Sequence, residues 1–89
     1  MSNLEKVIER KCSLWAIDRG WLVYKFVSPS NRGVPDKIFL KKGRIVFVEF
    51  KQPGGKLSPL QIRQIKKLRL QGFTVLVVDS IEEFKHAFL

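Results

Sequence analysis

Cysteine occurs once in the 89 residues, at Cys12, so no intramolecular disulfide can form and a stapled, secreted mini-protein is excluded. Histidine also occurs once, at His86, and one Cys with one His cannot supply a four-ligand structural zinc site. No apolar run approaches the roughly 20 residues that cross a bilayer, so no membrane association is expected. Glu5, Glu9 and Lys11 interrupt every candidate apolar core near the N-terminus, which is not the layout of a signal peptide. The expected setting is reducing and intracellular, and no organic cofactor is expected. Carboxylates are scarce as well: 8 Asp and Glu stand against 17 Lys and Arg, a net charge of +9. A field of that sign favours a polyanion, and nucleic acid is the commonest one inside a cell.

What is present is otherwise ordinary. Hydrophobic residues make up 45% and charged residues 28%, a globular mix on a length that suits one small domain over residues 1–89. The scarcity of acids is local. Between Gly20 and Val78 the chain holds only Asp36 and Glu49 amid a dozen basic residues. A surface that attracts phosphate normally avoids carboxylates, so these two need a reason.

Leu4, Ile8, Cys12 and Trp15, broadened by Val7 and Leu14, predict an amphipathic helix from Asn3 to Arg19 closed by Gly20. Trp21 to Val27 reads as a strand and Ser28 to Gly33 as a loop. Lys37–Leu40 and Arg44–Lys51 flank Lys41-Lys42-Gly43 and predict a hairpin. After the Gln52–Lys56 loop, Ser58, Pro59 and Gln61 spell a helix N-terminus with a capping box, and the helix runs to about Gln71. Phe73–Val78 has the continuous apolar pattern of a central strand. Ser80 with Glu83 opens a last helix, on which Ile81, Phe84 and Phe88 share a stripe running into the apolar end Ala87-Phe88-Leu89. The expected fold is α/β, in the order αβββαβα, with helices flanking a mixed central sheet whose third and fourth strands are parallel.

With Lys42-Gly43 as a two-residue turn, facing positions in the hairpin sum to 85, and Asp36 comes opposite Glu49. Facing Cβ atoms lie about 4.5–5.5 Å apart, and the two-residue strand period puts Lys51 on the same face as Glu49. Two facing carboxylates repel unless a cation sits between them. Oxygen donors so spaced suit Mg²⁺, which leaves positions for phosphate and water. With a lysine beside them, they are a minimal set for cutting a phosphodiester. On the opposing interpretation Lys51 and Glu49 are a solvated ion pair of little consequence.

Gly33-Val34-Pro35-Asp36 followed by Val48-Glu49-Phe50-Lys51 resembles the PD-(D/E)xK nuclease motif. With Lys56-Leu57-Ser58-Pro59-Leu60-Gln61, Tyr24-Lys25-Phe26 and the Gly72–Val78 segment, nearly the whole chain resembles the VRR-NUC family, the virus-type replication-repair nucleases, in their stand-alone phage-type form. The resemblance implies that Asp36 and Glu49 are the acidic ligands of Mg²⁺ or Mn²⁺, that the Phe50 backbone carbonyl adds a ligand, and that Lys51 is the catalytic lysine. It also implies a glutamate from the first helix, for which Glu9 fits better than Glu5, and a role beside the scissile phosphate for Gln61.

Lys25, Arg32 and Lys37 bracket Asp36 along the chain and, with Lys56, Arg63 and Lys67, are the candidate DNA contacts. The expected function is that of a metal-dependent deoxyribonuclease cutting branched DNA, foremost four-way junctions. Two symmetric cuts call for two sites and hence a homodimer, with the last helix or the first as its contact. The resemblance implies a bacterial cytoplasmic setting, with the chain phage-encoded. The alternatives are a flap or single-strand nuclease, and a non-catalytic basic binding module, for which the two acids have no use.

Overall fold

A computed structural model describes residues 3–88. The elements are α1 (Asn3–Asp18), β1 (Leu22–Lys25), β2 (Lys37–Lys41), β3 (Arg44–Phe50), α2 (Pro59–Leu70), β4 (Thr74–Val78) and α3 (Ile81–Phe88). The four strands form one sheet in the order β1-β2-β3-β4, with the first two pairings antiparallel and β3–β4 parallel. Among the described residues no helix is long and apolar enough to cross a membrane.

Local chemistry explains the boundaries. Lys42 and Gly43 take φ of 46° and 82°, the positive pair of a type I′ turn, whose twist matches the flanking strands. The register follows from it: Lys37 pairs with Val48 and Lys41 with Arg44, every pair summing to 85. Ser58 Oγ accepts the Gln61 N–H at 3.2 Å while Gln61 Oε1 accepts the Ser58 N–H at 2.9 Å, the reciprocal capping box. β1 is shorter than the Trp21–Val27 expectation: Trp21 turns into the core, and past Lys25 the pairing closes with one more bond in register, from the Phe26 N–H to the Asp36 carbonyl.

The pleat sorts side chains onto two faces. On one face Phe39, Val46, Val48 and Phe50 lie under α1 and α3, packed with Cys12, Ala16, Phe84 and Phe88. Burial pushes the Cys12 thiol up to about 12, so it serves as a packed apolar group. On the other face α2 sets Ile65 against Phe47 and Val75. This helix covers only the β3–β4 half. Over β1 and β2 the sheet is open, and Leu22 and Tyr24 are 55% and 54% exposed.

Two expectations are corrected. The stripe of α3 is not available to a partner: Phe84 and Phe88 are buried, stacked 4.2 Å apart, and contact Phe39. Leu89, the end of that stripe, lies outside the described residues. On α1 the buried side is Ile8, Cys12 and Ala16 with Ser13, whereas Leu14 points outward and is 59% exposed. Small residues let that helix sit close to the sheet, so its inner side is not its bulkiest one.

Candidate active site

The hairpin ladder ends at Lys37–Val48, and two further steps of the same register set Asp36 against Glu49 and then Pro35 against Phe50. The Lys51 N–H donates to the Val78 carbonyl of β4 at 2.9 Å. By strand alternation the Phe50 N–H and C=O therefore both point the other way, toward β2. In a continued ladder residue 35 would exchange both bonds with Phe50, but a proline has no N–H to give. The Asp36 carboxylate takes over half of that exchange: its Oδ2 accepts the Phe50 N–H at 2.8 Å. Proline thus stops the ladder, turns the Asp36 side chain into the gap, and leaves the Phe50 carbonyl without its ladder donor.

Glu49 is only 2% exposed. Its Oε2 accepts from Gln61 Nε2 at 3.1 Å, and its Oε1 is buried with no hydrogen-bond donor among the described residues. Burial and the adjacent Asp36 carboxyl push the Glu49 carboxyl up from 4.5 to about 8, the charge of Glu5 adding to the effect and that of Lys51 opposing it. A buried carboxylate oxygen without a donor costs free energy unless a proton or a cation takes the place.

Gln61 reaches Glu49 because two segments meet closely. Gly33, at φ +89°, lies so near the first turn of α2 that a Cβ there would stand 2.7 Å from the Leu60 carbonyl and 2.9 Å from the Gln61 nitrogen. The loop that delivers Pro35-Asp36 is thereby seated on the helix that delivers Gln61. After Lys51 the chain turns through Pro53 and Gly54 (φ +77°), closed by Gly55 N–H to the Gln52 carbonyl at 2.8 Å, so this loop is a turn first.

The N-terminal half of α1 forms another wall. Glu5, Glu9, Lys25, Asp36 and Lys37 line a cleft of about 320 Å³. Glu9 lies 3.8 Å from Lys37 in an ion pair, while Glu5 is the helix carboxylate whose charge acts on Glu49. Glu5 and Glu9, the two helix carboxylates the sequence offered, both line this cleft; the seat at Gly33 was not anticipated, and a glycine ahead of the Pro-Asp pair is the available signal for it. Of the candidate DNA contacts, Lys37 is engaged by Glu9, and Lys25, Arg32, Lys56, Arg63 and Lys67 are exposed.

Among the described residues no three His, Cys, Asp or Glu side chains gather as a metal site. The donor set that fits a divalent ion is two carboxylates and a backbone carbonyl, Asp36, Glu49 and Phe50. The unpartnered Glu49 oxygen is the observation that supports the fit, and hard oxygen donors of this kind suit Mg²⁺ or Mn²⁺.

A mixed four-stranded sheet with an Asp and a Glu at the end of its hairpin, and a Lys two residues on, is the arrangement of a PD-(D/E)xK-type domain. The family model described as the VRR-NUC domain matches residues 17–82. A protein of Acyrthosiphon pisum secondary endosymbiont phage 1, named "Putative nuclease p44", is 50% identical over 62 residues, which are 68% of this chain and 67% of that protein. A solved structure described as a VRR_NUC domain superposes with a TM-score of 0.89 at 28% identity, covering 98% of this chain and 96% of the other. A second, a VRR_NUC domain protein, shares the fold with a TM-score of 0.70 at 18% identity, covering 88% and 78%. The chain belongs to the VRR-NUC family of nuclease domains.

Proposed function

We propose that the chain is a divalent-metal-dependent DNA endonuclease of the bacterial cytoplasm that cuts branched DNA, with four-way junctions as its principal substrate, and that it works as a homodimer. The observation that carries this reading is the buried Glu49 carboxyl, with one oxygen held by Gln61 and the other without a donor among the described residues, beside Asp36. Without metal a proton shared with Asp36 fills that place, and a cation can displace it.

In this reading Asp36, Glu49 and the Phe50 carbonyl hold Mg²⁺ or Mn²⁺, which when bound neutralises phosphate charge and makes a bound water more acidic. Gln61 keeps Glu49 in one rotamer and sits at the N-terminus of α2, where the helix dipole already favours an anion. Lys51 extends the same sheet face past the carboxylates and places its ammonium beside the reacting phosphate, where it favours the extra charge of the transition state. The exposed bases Lys25, Arg32, Lys56, Arg63 and Lys67 supply phosphate contacts that carry affinity without base reading. Because the α3 stripe is used in the core, the dimer contact falls to the outer side of α1, where Leu14 and Ile17 are 59% and 52% exposed. That side faces away from Glu49 and leaves both sites open to one branched duplex.

Cleavage of a panel of four-way junction, flap, nicked and single-stranded substrates with Mg²⁺ or Mn²⁺ tests the substrate, and light scattering tests the assembly. Paired cuts in junctions by a particle of twice the chain mass are expected. A 10 kDa particle that prefers flaps or single strands contradicts the junction reading.

A further inference from the structure

The cations that flank the catalytic end leave a second basic cluster unexplained, at the opposite end of the hairpin. A groove of about 720 Å³ there is lined by Arg19, Lys41, Lys42 and Arg44 and, among the described residues, by no carboxylate. Its floor is Leu22, Leu40 and Ile45, which by strand parity lie on the same sheet face as Glu49, on the half that α2 leaves uncovered. The open face therefore runs from the carboxylates to the hairpin tip without an intervening element.

Three of these four basic side chains are held in place. Lys41 Nζ donates to the Arg19 carbonyl at 2.7 Å. Arg44 stands 5.1 Å and Lys41 Nζ 5.9 Å from the Trp21 ring centre, and Arg19 lies 4.0 Å over Trp15. Among the described residues one acid pairs with them, Asp18, 4.0 Å from Arg19 and largely exposed. Cations fixed by aromatic rings and a helix end lose little entropy when they meet a ligand.

We infer that this groove is a second DNA-binding site, which takes the phosphate backbone of the duplex arm flanking the scissile bond. The inference rests on the nuclease reading. From Glu49 to Ile45, on the same face, is four residues of strand, about 14 Å, or roughly four base pairs at 3.4 Å each; Lys41 and Arg44, of opposite parity, project from the α1 side and form the rim of the groove at that end. An arm entering at the catalytic carboxylates thus reaches the hairpin within half a turn of duplex. Charge decides the occupant: a second copy of a +9 chain is repelled by four clustered cations, whereas a polyanion is attracted.

Lys42→Asn is the cleanest probe, because asparagine favours the positive φ of that turn position and keeps the hairpin; Lys42→Asn with Arg44→Gln is the second. Binding of a 20-base-pair duplex in EDTA is followed by fluorescence anisotropy across a salt series. Each lost phosphate contact lowers the log–log salt slope by about 0.9 and weakens binding about eightfold at 0.1 M salt. In metal, the double variant should raise KM on substrates with long arms with kcat unchanged, and match wild type when the arm is cut to three base pairs. Unchanged affinity and slope in both variants overturn the inference, as does an equal loss on short and long arms. If wild type binds with the expected slopes but never cuts DNA, the nuclease reading fails while the groove stands.

Discussion

Glu49→Gln removes an ionisable group from the interior and leaves the shape of the side chain. In the folded protein without metal, Glu49 holds its proton up to about 8, against 4.5 in an ordinary environment. The raised value fixes the sign: the native state keeps a proton that the unfolded chain gives up, so stability is full below about 4.5 and is lost as the pH rises toward 8. At about 1.4 kcal/mol for each pH unit of difference, wild type should lose about 4 kcal/mol from this group between pH 5 and pH 9. Glutamine is neutral throughout and can still accept from Gln61, so the variant should lack this loss. Urea unfolding in EDTA at pH 5, 7 and 9 measures both proteins, and the difference between them isolates Glu49 from other titrations. Near parity at pH 5 and a variant more stable by several kcal/mol at pH 9 is the expected result. Parallel pH profiles would refute the argument that Glu49 is desolvated and repelled by Asp36.

Three further outcomes follow from the same geometry. Metal binding at pH 7 should release close to one proton, because Glu49 must ionise to serve as a ligand; calorimetry in buffers of different ionisation enthalpy reads the proton count. Lys51→Ala should reduce kcat far more than DNA affinity, since its charge acts on the transition state, and equal losses in both would reduce Lys51 to one more phosphate contact. Gly33→Ala should lower stability by about 3 kcal/mol, as a strained positive φ is joined by a backbone clash with Leu60, and should reduce cleavage by shifting Gln61; an unchanged melting temperature contradicts the close seat.

The hairpin, the capping box and the element order were legible because each rests on local chemistry: a Lys-Gly turn, a Ser-Pro-x-Gln start and alternating strands. That legibility extended to the Asp36–Glu49 juxtaposition, since a two-residue turn dictates every facing pair. Phe50 was less plain. Its carbonyl as a ligand came from resemblance, although the sum of 85 already sets Pro35, which lacks an N–H, against it. The amphipathic stripe of α3 could not say whether a core or a partner covers it, because both demand the same periodicity; only the packed Phe39–Phe84–Phe88 cluster decides. On α1, bulk pointed to Leu14 beside Cys12, but close helix–sheet approach favours Ala16. The placement of Glu5 and Glu9 depends on how α1 crosses the end of the sheet, a tertiary quantity with no local signature.

The most direct measurement is single-turnover cleavage of a four-way junction by wild type, Asp36→Asn and Glu49→Gln, at equal DNA occupancy, with Mg²⁺, Mn²⁺ or EDTA. Wild type should cut with either metal and not in EDTA, and both variants should bind the junction yet fail to cut it with either metal. Cleavage by wild type in EDTA, or wild-type rates from either variant, would contradict the assignment of Asp36 and Glu49 as the catalytic metal ligands.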